Sequence, residues 1–155
     1  SLPLYIDDSP VLRETELFSK ARRIKKEKAV GLIVVDYLQL METSRRIESR
    51  YQMVTELSKA SKALARELEI PVLMLCQLSR QPEGRVDKRP QLGDLRESGA
   101  IEQDADAVLM LYRGDAYIQT KTGEAELIIR KQRNGPTGTI KLHFDEATAT
   151  FRDHQ

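Results

Sequence analysis

The chain has 155 residues, of which 40% are hydrophobic and 32% charged, and its formal net charge is +1. That length suits one ordinary domain, and the near-neutral balance excludes a polycation that coats nucleic acid through bulk charge, so any phosphate contact must come from local clusters. A single cysteine, Cys76, excludes an intrachain disulfide, and no apolar run approaches the ~20 residues of a bilayer-crossing helix, which gives the expectation of a soluble cytoplasmic protein with no membrane partner.

Aromatic residues make up only 5% of the chain, with no tryptophan, so a core has to be built from Leu, Ile, Val and Ala. The opening Ser1-Leu2-Pro3-Leu4 reads as a cut inside a domain. Leu4-Tyr5-Ile6 predicts a short strand, ended by the turn chemistry of Asp7-Asp8-Ser9-Pro10. A helix follows with Thr15 as N-cap, Leu17, Ala21 and Ile24 on one face, and Lys25, Lys26 and Lys28 near its C-terminus, where cations suit the helix dipole. After Gly31, Leu32–Leu38 predicts a buried strand that runs through Asp36. The basic stretch Glu42–Ser49 reads as a loop, and Tyr51–Glu69 as a helix with Val54, Leu57, Ala60, Leu64 and Leu68 on one stripe.

Ile70-Pro71 breaks that helix, and Val72–Cys76 predicts a second buried strand ending at Gln77. Two continuous apolar strands joined by one amphipathic helix suggest a βαβ unit with a parallel sheet covered on both faces. A flexible polar loop, Ser79–Pro90, is followed by a helical stretch through Ile101–Asp104 and a third buried strand, Ala107–Leu111. The last third changes character: Glu126–Ile129 and Thr139–Phe144 are strand-like and joined by Asn134–Gly138, with Thr148–Phe151 as a final edge. The early part reads α/β and the late part antiparallel.

Asp36 ends its apolar run where an α/β protein presents side chains to a ligand crevice. A carboxylate there suits Mg²⁺, held through water, and equally suits a strand-end aspartate that caps a turn. Gln77 emerges at the same sheet edge, and its amide can donate and accept, which fits sensing a terminal phosphate or a water. Lys131 and Arg133 follow the strand Glu126–Ile129 and can reach one polyphosphate together, or serve as the solvated cations of a basic hairpin. Ser98-Gly99 offers backbone N–H groups to an anion beside Arg96. Arg80, Arg85, Lys88 and Arg89 upstream could track a phosphate backbone, and Arg45 and Arg46 lie in the other basic loop. No G-x-x-x-x-G-K-[ST] occurs in the 155 residues. Half of a nucleotide site is legible, which suggests a C-terminal piece of an ATPase.

Four stretches in order, Val35-Asp36-Tyr37-Leu38-Gln39-Leu40, Gln77-Leu78-Ser79-Arg80, Asp94–Asp106 and Lys131-Gln132-Arg133-Asn134-Gly135-Pro136, resemble the replicative DNA helicase family of the DnaB type from Leu4 to about Phe151. The resemblance implies a RecA-like P-loop ATPase core, truncated here, which uses ATP and Mg²⁺, assembles as a hexameric ring and unwinds duplex DNA by moving along single-stranded DNA. It implies that Asp36 is the Walker B aspartate and Gln77 the glutamine linking the γ-phosphate to the DNA loops. Lys131 and Arg133 become the basic pair that reaches the neighbouring subunit, with Arg133 the arginine finger. Arg96, Glu97, Ser98 and Gly99 become the DNA loop of the channel, with Arg80 nearby and Glu42–Arg50, including Arg45 and Arg46, a second channel loop. Primase and a helicase loader become possible partners, in a bacterial, nucleoid-associated setting.

The chain departs from the family in having no Walker A loop and no glutamate that polarises the attacking water, nor an N-terminal primase-binding domain. It is therefore expected neither to bind ATP tightly nor to hydrolyse it alone, and to associate or swap segments through unpaired strand edges. Other RecA-like ATPases, of the RadA or circadian-clock type, share an acid-ended strand but not the Arg96–Asp104 stretch. A non-catalytic DNA-binding or oligomerisation module is the reading from a different class.

Overall fold

The computed structural model describes residues 3–9, 11–95, 99–116 and 122–154. It divides into two compact units, the first of residues 1–77 and 95–104 and the second of residues 78–94 and 105–155.

In the first unit, β1 (Leu12–Arg13) pairs in parallel with β3 (Met41–Glu42), and β2 (Ile33–Val35) pairs in parallel with β4 (Val72–Met74). Two long helices cover them, α1 (Glu14–Lys28) and α2 (Arg50–Leu68). Leu17 and Ala21 of α1 and Val54, Leu57 and Leu64 of α2 close over Val35, Leu38 and Met41 to form one buried cluster. The 3.6-residue spacing of those apolar positions makes each helix form against the sheet. Both helices stop in the left-handed conformation, at Ala29 (φ 52) and Glu69 (φ 53), whose backbone N–H groups bond back to Lys25 and Ala65. A short third helix, α3 (Gly99–Asp104), is tied to α2 by Ser58 Oγ donating to Asp104 Oδ2 at 2.9 Å.

Several expectations need correction here. Leu4-Tyr5-Ile6 forms no strand and all three residues are exposed; Asp7 beside them accepts from Lys20 Nζ at 2.6 Å. The N-cap of α1 is Arg13, not Thr15, because the Glu16 carboxylate reaches back to the Arg13 N–H while the Thr15 hydroxyl turns to Ser44. The strand expected over Leu32–Leu38 is only Ile33–Val35, and Leu38–Leu40 forms a turn of 3₁₀ helix. Nor is the parallel pair covered on both faces. Ile33, Val35, Val72 and Met74 turn inward, while Leu32, Val34, Leu73 and Leu75 stay between 40% and 52% exposed. Strand side chains alternate faces, so a continuous apolar run divides itself between the core and the outer face.

The second unit is an antiparallel sheet ordered β5 (Ala107–Arg113), β6 (Glu124–Gln132), β7 (Gly138–Asp145) and β8 (Thr150–Asp153). β5 carries the third apolar run but alternates: Val108 and Met110 are buried, Leu109 and Leu111 exposed. A register shift between Val108 and Leu109 interrupts the ladder to β6. Gly123 leads into β6 at φ +70, and a Cβ there would lie 2.3 Å from the His143 ring. Such a backbone conformation and so close an approach both favour glycine.

The segment expected to be a flexible loop, Ser79–Pro90, is tethered. It holds a 3₁₀ turn at Gln81–Gly84, and Ser79 N–H donates to Asp94 O at 2.8 Å. Arg85 forks onto the Asp94 carboxylate at 3.1 and 2.5 Å. Arg89 pairs bidentately with Glu126 on β6, and Arg130 Nε donates to Pro90 O at 2.8 Å.

Candidate nucleotide and DNA site

Asp36 follows buried Val35 and is itself exposed, joined to Tyr37 by a cis peptide bond. The ladder between the two parallel strands runs on past their ends: Leu75 N–H donates to Val35 O at 3.0 Å, and Leu38 N–H to Leu75 O at 2.9 Å. Asp36 is thus held between two backbone anchors. Gln77, two residues beyond Leu75, is exposed at the same C-terminal edge, because parallel strands end on one side. Sequence and structure agree in bringing these two side chains to one edge of the first unit.

A third polar residue at that edge was not singled out by sequence reasoning. Gln39 donates from Nε2 to Gln77 O and accepts at Oε1 from Gln77 N–H, both at 3.2 Å. Its own carbonyl accepts from Arg50 Nη2 at 3.2 Å. The only hint in the sequence is a glutamine between two leucines, three residues after the acid. Cys76, between Leu75 and Gln77, is half-buried, and burial pushes its thiol up to about 11, which makes it an inert thiol rather than a nucleophile.

Arg45 and Arg46 stand exposed in the loop before α2. Gly99 starts α3, and a Cβ on it would lie 3.6 Å from the Tyr51 hydroxyl, so Tyr51 of α2 roofs this glycine. Arg96, Glu97 and Ser98, all expected to hold DNA, lie outside the described residues.

In the second unit, Lys131 is paired with Val108 in the β5–β6 ladder and is half-buried, while Arg133 follows β6 and is exposed. Arg133 N–H donates to Asp106 O at 2.8 Å, and its Nε lies 3.2 Å from Asp106 Oδ1 with both side chains more than half exposed. The backbone of Arg133 is therefore anchored on Asp106, and its guanidinium, although more than half exposed, pairs with the carboxylate of the same residue. Arg80 is exposed at the start of its 3₁₀ turn. Arg85 and Arg89, by contrast, are engaged with Asp94 and Glu126 and do not form a phosphate-tracking row. The Arg89 guanidinium holds the Glu126 carboxyl below the usual carboxylate range, and its own proton is bound more tightly in return. A cleft of about 260 Å³ in this unit is lined by Ser79, Lys88, Tyr112, Arg113 and Phe151 among others; Lys88 is the one candidate phosphate-tracking cation in its lining.

Among the described residues no three His, Cys, Asp or Glu side chains gather to form a protein cage for a metal. A lone exposed carboxylate at a strand end fits Mg²⁺, which takes one or two protein carboxylates plus phosphate oxygens and water, and does not fit Ca²⁺ or Zn²⁺.

The sequence profile described as the DnaB-like helicase C-terminal domain matches residues 1–153. The chain is 52% identical over 153 residues to the replicative DNA helicase DnaB of Leifsonia xyli subsp. xyli, covering 97% of this chain and 34% of that protein. It is similar to the solved structure of a DnaB-like replicative helicase and its interactions with primase, at TM-score 0.91 and 41% identity, over 97% of this chain and 38% of that one. A solved ATPase domain gives TM-score 0.89 and 40% identity over 96% of this chain and 54% of the other. The chain belongs to the DnaB-like helicase C-terminal domain family and has the fold of that family's ATPase domain. It spans about a third of the length of the curated relatives it matches. Among the described residues no helix is long and apolar enough to cross a membrane.

Proposed function

We propose that this chain is part of the motor domain of a replicative DNA helicase, which hydrolyses ATP and moves along single-stranded DNA as a hexameric ring. The observation that carries the reading is the parallel pairing of β2 and β4, which brings Asp36 and Gln77 to the same C-terminal edge of the sheet. In α/β proteins that edge is where ligands bind. Family membership supplies the nature of the ligand.

Asp36 would hold Mg²⁺ through water; when bound, the ion neutralises charge between the β- and γ-phosphates. The loop that cradles those phosphates would come from outside these 155 residues. Gln77 offers the triphosphate an amide that can report whether the terminal phosphate is present. Lys131 and Arg133 would reach the site of the next subunit, where Arg133 stabilises charge in the transition state. To make that reach its guanidinium would leave the carboxylate of Asp106, with which it pairs here. Arg45, Arg46, Arg80, Arg96, Glu97, Ser98 and Gly99 would line the channel that holds single-stranded DNA. Each phosphate that one of these cations neutralises adds about 0.7 to the salt slope of binding. A primase, a helicase loader, and a cytoplasmic, nucleoid-associated setting belong to the same reading.

The test is Arg133→Ala in the intact helicase assembled as rings. DNA-stimulated ATP turnover is expected to fall on the order of 10³-fold or more. Turnover at the wild-type level would remove the finger assignment. The 155-residue chain alone is expected to show no metal-dependent turnover, and robust hydrolysis by it would overturn the view of the site as partial.

A further inference from the structure

We infer that Gln39 is a positioning residue that couples the nucleotide edge to both DNA loops, by clamping the backbone of Gln77 on one side and Arg50 on the other. The inference rests on the helicase reading above and names a residue to which that reading gives no role. β4 ends at Met74, so the backbone of Gln77 is past the end of the sheet ladder. The Gln39 amide takes the place of a missing strand there: Nε2 donates to the Gln77 carbonyl, and Oε1 accepts from the Gln77 N–H. Among side chains of this length only an amide can donate and accept in this way at once.

Gln39 lies in the 3₁₀ turn Leu38–Leu40, three residues after Asp36, and its position is set by Leu38, which is fully buried and bonded to Leu75 O. Its carbonyl holds the guanidinium of Arg50. Arg50 is the first residue of α2 and closes the loop that carries Arg45 and Arg46. The next residue, Tyr51, sets its hydroxyl over Gly99, the start of α3 and the last residue of the other expected DNA loop, Arg96 to Gly99. A displacement of Gln77 is therefore passed through two hydrogen bonds to Gln39, through a third to the N-terminus of α2, and by contact to Gly99. All of these residues belong to the first unit.

The experiment uses the full-length helicase ring and two ratios: ATP turnover with saturating oligo-dT over turnover without it, and oligo-dT affinity with a non-hydrolysable ATP analogue over affinity without it. Gln39→Met keeps the length and removes both hydrogen bonds; both ratios are expected to fall at least about fivefold, the low end of ordinary coupling factors. Gln39→Glu still accepts from Gln77 N–H but repels its carbonyl, and should lie between. A Gln39 that is merely structural would lower the melting temperature of the ring and leave both ratios within about twofold, which overturns the inference. Should Gln39→Met fail to assemble, Gln39→Glu decides: an intermediate ratio supports the coupling, a wild-type ratio overturns it. A wild-type ring with no DNA stimulation at all would instead sink the helicase reading, and the coupling with it.

Discussion

The tether between Arg85 and Asp94 makes a prediction that can be worked through from the structure. The Asp94 side chain is only 2% exposed, and its carboxylate accepts from Arg85 Nη1 at 3.1 Å, Arg85 Nη2 at 2.5 Å and Gln91 N–H at 2.7 Å. Arg85→Ala would leave a buried carboxylate with one backbone donor among the described residues. Orphaning one member of a buried pair costs about 3–5 kcal/mol. The Arg85 side chain is 32% exposed, so water can reach part of the gap and screen it, and a figure of about 2–3 kcal/mol is appropriate. The loss should be local, because Asp94 holds the Ser79–Pro90 segment through Ser79 N–H and Gln91 N–H. Amide hydrogen exchange of Ser79 and Gln91 is the assay. At about 1.4 kcal/mol per tenfold, their exchange should speed up roughly 30–150-fold. Arg85→Met combined with Asp94→Leu should regain most of the protection at Ser79, whose acceptor is the Asp94 backbone carbonyl, but not at Gln91, whose acceptor is the deleted carboxylate, since apolar replacement of both partners removes the orphaned charge. Exchange unchanged within about threefold in Arg85→Ala would refute the reasoning. A double variant as loose as the single one would mean that lost packing, not an uncompensated charge, sets the cost.

Three further outcomes follow from single contacts. Glu126 titrates below the ordinary glutamate range because Arg89 donates to its carboxylate, so the stabilisation from this pair is complete above the unfolded value of about 4.3 and is lost as pH falls through the lower folded value; carbon-detected NMR titration should show this, and Arg89→Ala should return Glu126 to the ordinary range. Gly123→Ala puts a side chain at φ +70 and 2.3 Å from His143, but His143 is exposed and its ring can swing away, so the loss in stability should stay near the ~1–2 kcal/mol backbone cost, read as a lower thermal midpoint. Cys76, with its thiol pushed up to about 11 by burial, should react with iodoacetamide at pH 8 on the order of 10² more slowly than it does in urea, and equal rates would contradict its burial.

The helices were the most legible elements. α2 lies within one residue of its expected bounds at each end, because a 19-residue amphipathic stripe capped by Ser49 and stopped before Pro71 carries its own boundaries. The antiparallel strands β6 and β7 were also readable from the strand-like runs Glu126–Ile129 and Thr139–Phe144 on either side of the turn residues Asn134–Gly138, though both strands extend beyond those runs and β6 takes in Lys131. Strand lengths and coverage were not. Leu4-Tyr5-Ile6 has strand-like residues, but a strand exists only when a partner supplies its hydrogen bonds, and a local stretch says nothing about a partner. The cations at 80, 85, 88 and 89 looked alike in sequence, yet Arg85 and Arg89 are occupied by Asp94 and by Glu126, the latter 37 residues away, and no local rule anticipates that pairing.

Residue order alone determined the family, the βαβ beginning and antiparallel end, and the strand-end positions of Asp36 and Gln77, because periodicity, turn residues and motif spacing are local properties of a chain. Tertiary structure alone decided which cations stay in solvent, which face of the parallel pair is covered, and that Gln39 rather than a neighbouring strand holds the backbone of Gln77. These depend on groups far apart in sequence meeting within hydrogen-bond range, and the short reach of that interaction makes it invisible until the chain is folded.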